Sequence, residues 1–386
     1  MRLISVLSYC DRKMPRMSQT DTSTRLACSD PLQPHSRCSL RKQRVGSGNG
    51  PGHLWSVRLL LSGSLLLLVS GCTSSSQPTP QLRIGMMPKL VGISYFDATE
   101  QGAREAAEEL GVRLIYDGPT GATSEEQLQL LNGWVAQGVD VIAVAPNDPE
   151  AISKTLRGAL EAGAKVLTWD TDANPVKSGR SLFVNQAPNE QIGQTLVDVM
   201  ADGVRRRGGP LAGKYLIVSG TPTASNQNAW MEVMKRRIAE AYPEIELLPH
   251  LTPGEDHRRS LEQTAETLAA NPDLRGVWGI TSVSLPAAAK AVRDAGKQRD
   301  IYVTGLSLPS QMRDFVLDGT VEKFVLWDAV DLGYLTVHVA QRLAQGMLTD
   351  GVYAMGRLTD IEVRGGQVIL GPPLIFDRDN IDQYQF

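Results

Sequence analysis

Carboxylates, amides and hydroxyls recur in this sequence just behind short apolar runs, and few other reactive groups do. Pro88-Lys89-Leu90-Val91-Gly92 and then Tyr95-Phe96-Asp97 follow one such run, and Asp170-Thr171-Asp172 follows another. Further along come Thr221-Pro222-Thr223-Ala224-Ser225-Asn226-Gln227, Thr281-Ser282, Ser307-Leu308-Pro309 and Trp327-Asp328. This set suits a polyhydroxylated guest. A hydroxyl both donates and accepts, so Asp, Asn and Gln side chains can saturate it, while aromatic faces cover the apolar C–H side of a ring. Lys89 can only donate, which fits a ring or carbonyl oxygen.

The same residues make a poor enzyme. His250, His257 and His338 fall on a strand end, a helix start and a helix interior, without the HExxH spacing of a metalloprotease and without a nucleophile motif. Asp170 and Asp172 could form an acid–base pair, but two residues apart at a strand end one of them caps a turn more often. No metal or cofactor site is expected. Gly46-Ser47-Gly48-Asn49-Gly50 has no strand before it and so lacks the setting of a phosphate loop. Plainer roles stay open: Tyr95-Phe96 as core aromatics, Trp327 as a buried strand residue, and Asn226 as the N-cap of its helix.

The elements that must position these groups alternate regularly. Apolar segments at Leu82–Met87, Arg113–Tyr116, Val141–Ala145, Lys165–Trp169 and Ser181–Val184 are separated by helical stretches at Thr99–Leu110, Ser124–Gln137 and Pro149–Ala162. Val141-Ile142-Ala143-Val144-Ala145 is apolar throughout, as befits a strand covered on both faces, so a parallel sheet flanked by helices is expected. Ser124 with Gln127 reads as a capping box. Gly111, Gly138 and Gly163 stand where left-handed residues end helices.

The pattern restarts after Asn189 with helix 189–204, strand 214–218, helix 226–241, strand 245–251, helix 258–271, strand 276–279, helix 285–295, strand 301–305 and helix 310–317. The fold class is therefore α/β, with two Rossmann-like lobes in tandem. In parallel sheets ligands bind beyond the carboxyl ends of the strands, where the polar loops lie. Residues from Leu358 read as irregular, with short strand-like pieces wrapping back over the lobes.

A chain of 386 residues exceeds what one core usually serves. The formal charge of −3 hides an asymmetry, since residues 1–58 hold ten Lys/Arg against three Asp/Glu and leave a body at −10. Such a body repels phosphate backbones, so nucleic acid is not an expected partner. Cys10, Cys28, Cys38 and Cys72 all precede it, leaving no disulfide or thiolate site within it.

Residues 57–71 form an apolar run with a basic residue near its start and small residues at its end, a signal-peptide profile too short to span a bilayer comfortably. Val69-Ser70-Gly71-Cys72 resembles a bacterial lipobox, which makes Cys72 the expected lipid anchor of an exported protein. The polar tract 73–80 would be its tether. Residues 1–56 are basic, Ser-rich and aperiodic, and translation is expected to begin near Val57.

At its polar loops the chain resembles periplasmic sugar-binding proteins of the type I class, in the branch that contains autoinducer-2-binding and rhamnose-binding proteins. Pro88-Lys89-Leu90-Val91-Gly92, Tyr116-Asp117-Gly118-Pro119-Thr120, Leu167-Thr168-Trp169-Asp170, Asn226-Gln227-Asn228-Ala229-Trp230, Leu285-Pro286-Ala287-Ala288-Ala289 and Leu326-Trp327-Asp328 carry the likeness over nearly all of 82–386. The resemblance implies a ligand held between the lobes by Lys89, Phe96, Asp170, Asn226, Gln227 and the Ile280–Ser282 loop. The strand-end inventory adds Asp97, Thr281, Ser282, Trp327 and Asp328. Autoinducer-2 binders carry Asp, Pro and Ala where this chain has Asn226, Ile280 and Ser282. Rhamnose binders look closer, with Asn-Gln, Thr-Ser and an Asp-Leu-Gly-Tyr run like Asp331-Leu332-Gly333-Tyr334. The implied function is capture of rhamnose or a related deoxysugar by a monomer that delivers it to the permease of an ABC importer, with autoinducer-2 uptake or sugar sensing as alternatives. The resemblance also implies a hinge crossed three times, near 185–187, near 327–329 and after Gly346, and so expected lobes of 82–187 plus 329–350 and of 188–328 plus 351–386.

Overall fold

The computed structural model describes residues 81–386. The expected signal segment, Cys72, the tether and residues 1–56 lie outside the described residues. Among the described residues, no helix is long and apolar enough to cross a membrane.

The first lobe is built on strands β1 (Arg83–Met87), β2 (Arg113–Tyr116), β3 (Val141–Val144), β4 (Lys165–Trp169) and β5 (Leu182–Asn185). Helices α1 (Ser94–Leu110), α2 (Ser124–Ala136), α3 (Ser153–Glu161) and the short α4 (Pro175–Ser178) connect them. The second lobe has α5 (Asn189–Arg206), β6 (Gly213–Val218), α6 (Ser225–Ala241), β7 (Ile245–Leu247) and α7 (His257–Ala270). It continues with β8 (Leu274–Gly279), α8 (Ser284–Asp294), β9 (Tyr302–Gly305), α9 (Pro309–Leu317) and β10 (Phe324–Leu326). Helix α10 (Ala329–Ala344) returns to the first lobe and is followed by β11 (Gly351–Met355), β12 (Leu358–Arg364), β13 (Gln367–Ile369) and β14 (Leu374–Phe376).

Alternation within the central strands explains the layering. Ile84, Met86, Val141, Ala143, Leu167 and Trp169 join one buried cluster, whereas Met87, Ile142, Val144 and Val166 join a second with Leu131, Trp134 and Leu156. Successive residues face opposite ways, so the sheet buries both faces under helices. On one face α1 and α10 meet backbone to backbone: a Cβ on Gly102 would stand 1.8 Å from the Val330 carbonyl oxygen, and one on Gly333 1.8 Å from that of Thr99.

The first sheet runs in the order β11-β12-β13-β5-β4-β3-β1-β2, and the second in the order β7-β6-β8-β9. Strand β10 joins the second sheet's edge through a bridge between Leu306 and Val325, and pairs antiparallel with β14. This corrects the assignment of 351–386 to the second lobe. Val368 pairs with Val184 in parallel, so β11–β13 extend the first sheet and cover what would be its open edge. Only the segment from β14 onward packs with the second lobe, and the third crossing lies at 370–373 rather than just after Gly346. The capping box is also not formed. Helix α2 starts behind Thr123 without a side-chain cap, and Gln127 is buried between strand ends instead. Gly111, Gly138 and Gly163 are left-handed as expected.

Candidate functional site

Lys89 is held by its backbone before its side chain does anything. Gln127 donates from Nε2 to the Pro88 and Ala145 carbonyls at 3.1 and 2.8 Å, tying the ends of β1 and β3 together. Asn147 donates to the Lys89 carbonyl at 2.7 Å. The buried ammonium then projects across the cleft, donating to Asn226 Oδ1 at 3.0 Å and lying 3.7 Å from Asp170 Oδ2. A buried cation needs such company, because an isolated charge is costly away from water.

Asp170 ends β4 in the left-handed region, with φ of 58°. Asp tolerates this better than most residues, and backbone in sparsely populated regions is a common feature of functional sites. Tyr95, in the first turn of α1, donates to Asp170 Oδ1 at 2.8 Å and accepts from Trp327 Nε1 at 2.9 Å. Burial, with the Asp170 carboxylate beside it, pushes the Tyr95 phenol well above its ordinary range and keeps it a donor. Edge contacts link Tyr95 with Phe96 at 5.1 Å, Phe96 with Trp169 at 5.8 Å and Tyr95 with Trp327 at 6.2 Å between ring centres.

The second lobe answers with the N-terminus of α6. Asn226 is the second residue of that helix, so it reaches across to Lys89 rather than capping, and it donates to the Asp170 carbonyl at 3.4 Å. Gln227 Oε1 accepts from Ser219 Oγ at 2.9 Å and from the Gly220 amide at 2.8 Å, which fixes the amide with its NH2 end free to turn elsewhere. That end donates to Glu255 Oε1 at 3.4 Å. Two further bonds join the lobes here, Thr223 Oγ1 to the Asn147 carbonyl at 2.9 Å and Ser225 Oγ to the Asp172 carbonyl at 3.3 Å.

These groups surround one cavity enclosing about 410 Å³, partly open to solvent. Eight of the ten residues expected from sequence line it: Lys89, Phe96, Asp170, Asn226, Gln227, Thr281, Ser282 and Trp327. Asp97 and Asp328 do not, which corrects both. Helix α1 begins at Ser94 instead of Thr99, so Asp97 sits in its first turn, one residue past Phe96, and is exposed. Asp328 caps α10 by accepting from the Asp331 amide at 2.9 Å, and burial pushes its carboxyl up. Asp172 is held by Arg180, whose Nε donates to it at 2.7 Å, and makes no acid–base pair with Asp170. None of the three histidines of the body lines the cavity.

Glu255 was missed. It lines the cavity just ahead of Asp256, which caps α7 through the Arg259 amide at 3.0 Å. Protein crowds its carboxyl and pushes its pKa up, against the pull of Lys89, Gln227 and Thr281. The signal was available, since Gly254-Glu255-Asp256 follows a strand like the other polar loops. Carrying β7 on to Leu251 hid it, for the regular strand stops at Leu247 and Leu251 only bridges back to Val218. Tyr95, Ile93, Trp230, Leu306 and Leu326 complete the lining, with Ile280 from the implicated loop.

A family profile described as periplasmic binding protein domain matches residues 84–347, and the chain belongs to that family. An ABC transporter solute-binding protein from Clostridium phytofermentas, solved with bound L-rhamnose, is 30% identical over 79% of this chain and 98% of that one, with a TM-score of 0.73. LsrB from Clostridium saccharobutylicum, solved in complex with AI-2, is 26% identical over 78% of this chain and 99% of that one, with a TM-score of 0.75. The ribose import binding protein of Bacillus subtilis is 22% identical over 75% of this chain and 93% of its own length. The two-lobed type I fold is common to this group, whose members bind sugars and similar small solutes for ABC transporters and are not enzymes.

Proposed function

We propose that this protein captures rhamnose or a related deoxysugar between its lobes and delivers it, as a monomer, to the permease of an ABC importer. The observation that carries the reading is convergence. Lys89 and Asp170 from the first lobe meet Asn226, Gln227 and Glu255 from the second around one cavity whose other lining is Thr281, Ser282 and aromatic and aliphatic side chains. Hydroxyls of a sugar can replace the present contacts between these groups, and each lobe then gains bonds only when both grip the ligand. Closure about the hinge is stabilised by that shared guest, and the permease can read the closed form. The likeness to a protein solved with L-rhamnose supports this ligand class. The sequence at 57–72 supports export and lipid attachment through Cys72, for which radiolabelled palmitate incorporation that disappears in Cys72→Ala is the check.

A thermal-shift panel of rhamnose, ribose, other deoxysugars and AI-2 tests the assignment. A ligand at 100 times its dissociation constant adds about 2.7 kcal/mol of stability. Rhamnose or another deoxysugar is expected to give the largest shift. AI-2 giving the largest shift would transfer the assignment to AI-2 uptake, a reading favoured by the overall likeness to LsrB.

A further inference from the structure

The cavity's second-lobe wall carries amide and carboxyl groups at one side and, beside the Thr281 and Ser282 hydroxyls, a row of aliphatic side chains at the other, and the division follows the order of the strands. Residues Gly279 and Gly305 are paired across β8 and β9, and the Leu306 amide donates to the Gly279 carbonyl at 2.8 Å. Ile280 and Leu306 therefore leave the two strands side by side. Leu306 bridges Val325 on the next strand, and Leu326 follows one residue on. All three line the cavity. Asn226, Gln227 and Glu255 come instead from the start of α6 and the loop before α7, which follow β6 and β7 at the other end of the second sheet's order, and Lys89, after β1 of the first sheet, reaches Asn226 from across the cleft.

Most polar tips near the apolar row are already committed: Thr281 Oγ1 accepts from the Ser284 amide at 2.9 Å, and Ser282, next in the chain, is the exception. Trp327 Nε1 donates to Tyr95, and the Tyr95 hydroxyl donates to Asp170. Trp230 Nε1 donates to Asn189 Oδ1 at 2.9 Å. Ser307 Oγ is 3.0 Å from Gln311 Oε1 and 3.3 Å from the Ser282 carbonyl, and donates inside its own lobe. A ligand hydroxyl set against the Ile280, Leu306 and Leu326 side chains would lose its water and gain no partner from them, whereas a methyl group would only gain contact.

Resting on the sugar-binding reading, we infer that Ile280, Leu306 and Leu326 form the specificity-determining edge of the site. They receive the methyl end of a 6-deoxy sugar and disfavour the hydroxymethyl group of the parent hexose. The hydroxyl-bearing edge of the ring then faces Lys89, Asp170, Gln227 and Glu255.

Calorimetric titration of the full chain with L-rhamnose, L-mannose and L-lyxose isolates this edge, because the three sugars share their ring hydroxyls and differ only in bearing a methyl, a hydroxymethyl or nothing. L-Fucose against L-galactose repeats the exchange on another hydroxyl pattern. The deoxy member of the better-binding pair should bind about 10–100-fold more tightly than its hydroxymethyl partner, and L-lyxose more weakly than L-rhamnose. Leu306→Asn should narrow that ratio by at least tenfold, and Leu326→Ser serves the same purpose should the first variant fail to fold. Equal affinities within both pairs, or an unchanged ratio in a folded variant, would overturn the edge while leaving sugar capture standing. Absence of binding by all five sugars would overturn both.

Discussion

Two places bring together segments far apart in the chain, and they are built in opposite ways. Where α1 meets α10, glycines at 102 and 333 let one backbone lie directly on the other, and the surroundings are apolar. Where the lobes meet across the cleft, the contacts include single hydrogen bonds, Lys89 to Asn226, Asn226 to the Asp170 carbonyl, Thr223 to Asn147 and Ser225 to Asp172. Separating the helices would expose tightly packed surface, since interiors are as dense as organic crystals. Separating the cleft exchanges a few bonds for water, at a net cost of about 0.5–1.5 kcal/mol each. The first contact is a permanent joint within a lobe, and the second can open and close at a cost that ligand binding can offset.

The sharpest way to break that contrast is at the helix joint. Gly333→Ala should cost about 3 kcal/mol of stability through overpacking, read as a lower urea midpoint. A loss below about 1 kcal/mol would show that the helices yield and that the joint is not close-packed. At the cleft, Asp170→Asn keeps shape but removes the charge facing Lys89. Ligand affinity should fall by about 10–100-fold, equivalent to about 1.5–3 kcal/mol, and the ligand-free melting temperature should fall too, because the buried Lys89 loses its countercharge. Unchanged affinity would place ligand recognition elsewhere.

Thr223→Val should matter less. Its hydroxyl sits at the rim, so losing its bond should weaken ligand binding by about 0.5 kcal/mol, visible by calorimetry and not in the ligand-free melt. The smallest effect concerns Glu255. Its carboxyl holds a proton more tightly in the fold than its ordinary value of 4.5. The contribution to ligand-free stability is therefore fully present below about pH 4.5 and is lost as pH rises through the folded value. Glu255→Gln should flatten that slope in pH-dependent melts, and an unaltered slope would show that the carboxyl is ordinarily solvated.

Much of this was legible because local patterns carry it. The strand at 113–116 and that at 165–169 fall where apolar runs indicate, and eight strand-end residues meet in one cavity because parallel strands bring their carboxyl-end loops to one side. What escaped notice depends on long-range pairing. Ile361 and Val363 alternate with exposed neighbours in β12, a readable strand signal, but nothing local says that β13 will pair with β5, some 180 residues earlier in the chain. Asp97 and Asp328 were named for being polar near a strand end. Their side chains are decided by where a helix begins, and Ser94 and Ala329 begin those helices within a residue or a few of them.

The return of β11–β13 to the first sheet leaves three separate spans between the lobes, after β5, after β10 and after β13. A single tether would act as a ball joint and let one half swivel in any direction. Three spans side by side act more like the leaves of a door hinge, permitting swing about one axis and resisting twist. Side chains on the two lobes would then arrive opposite the same counterparts at every closure, with no search over orientations, and the cavity's two sides would always be presented to an arriving guest in the same register.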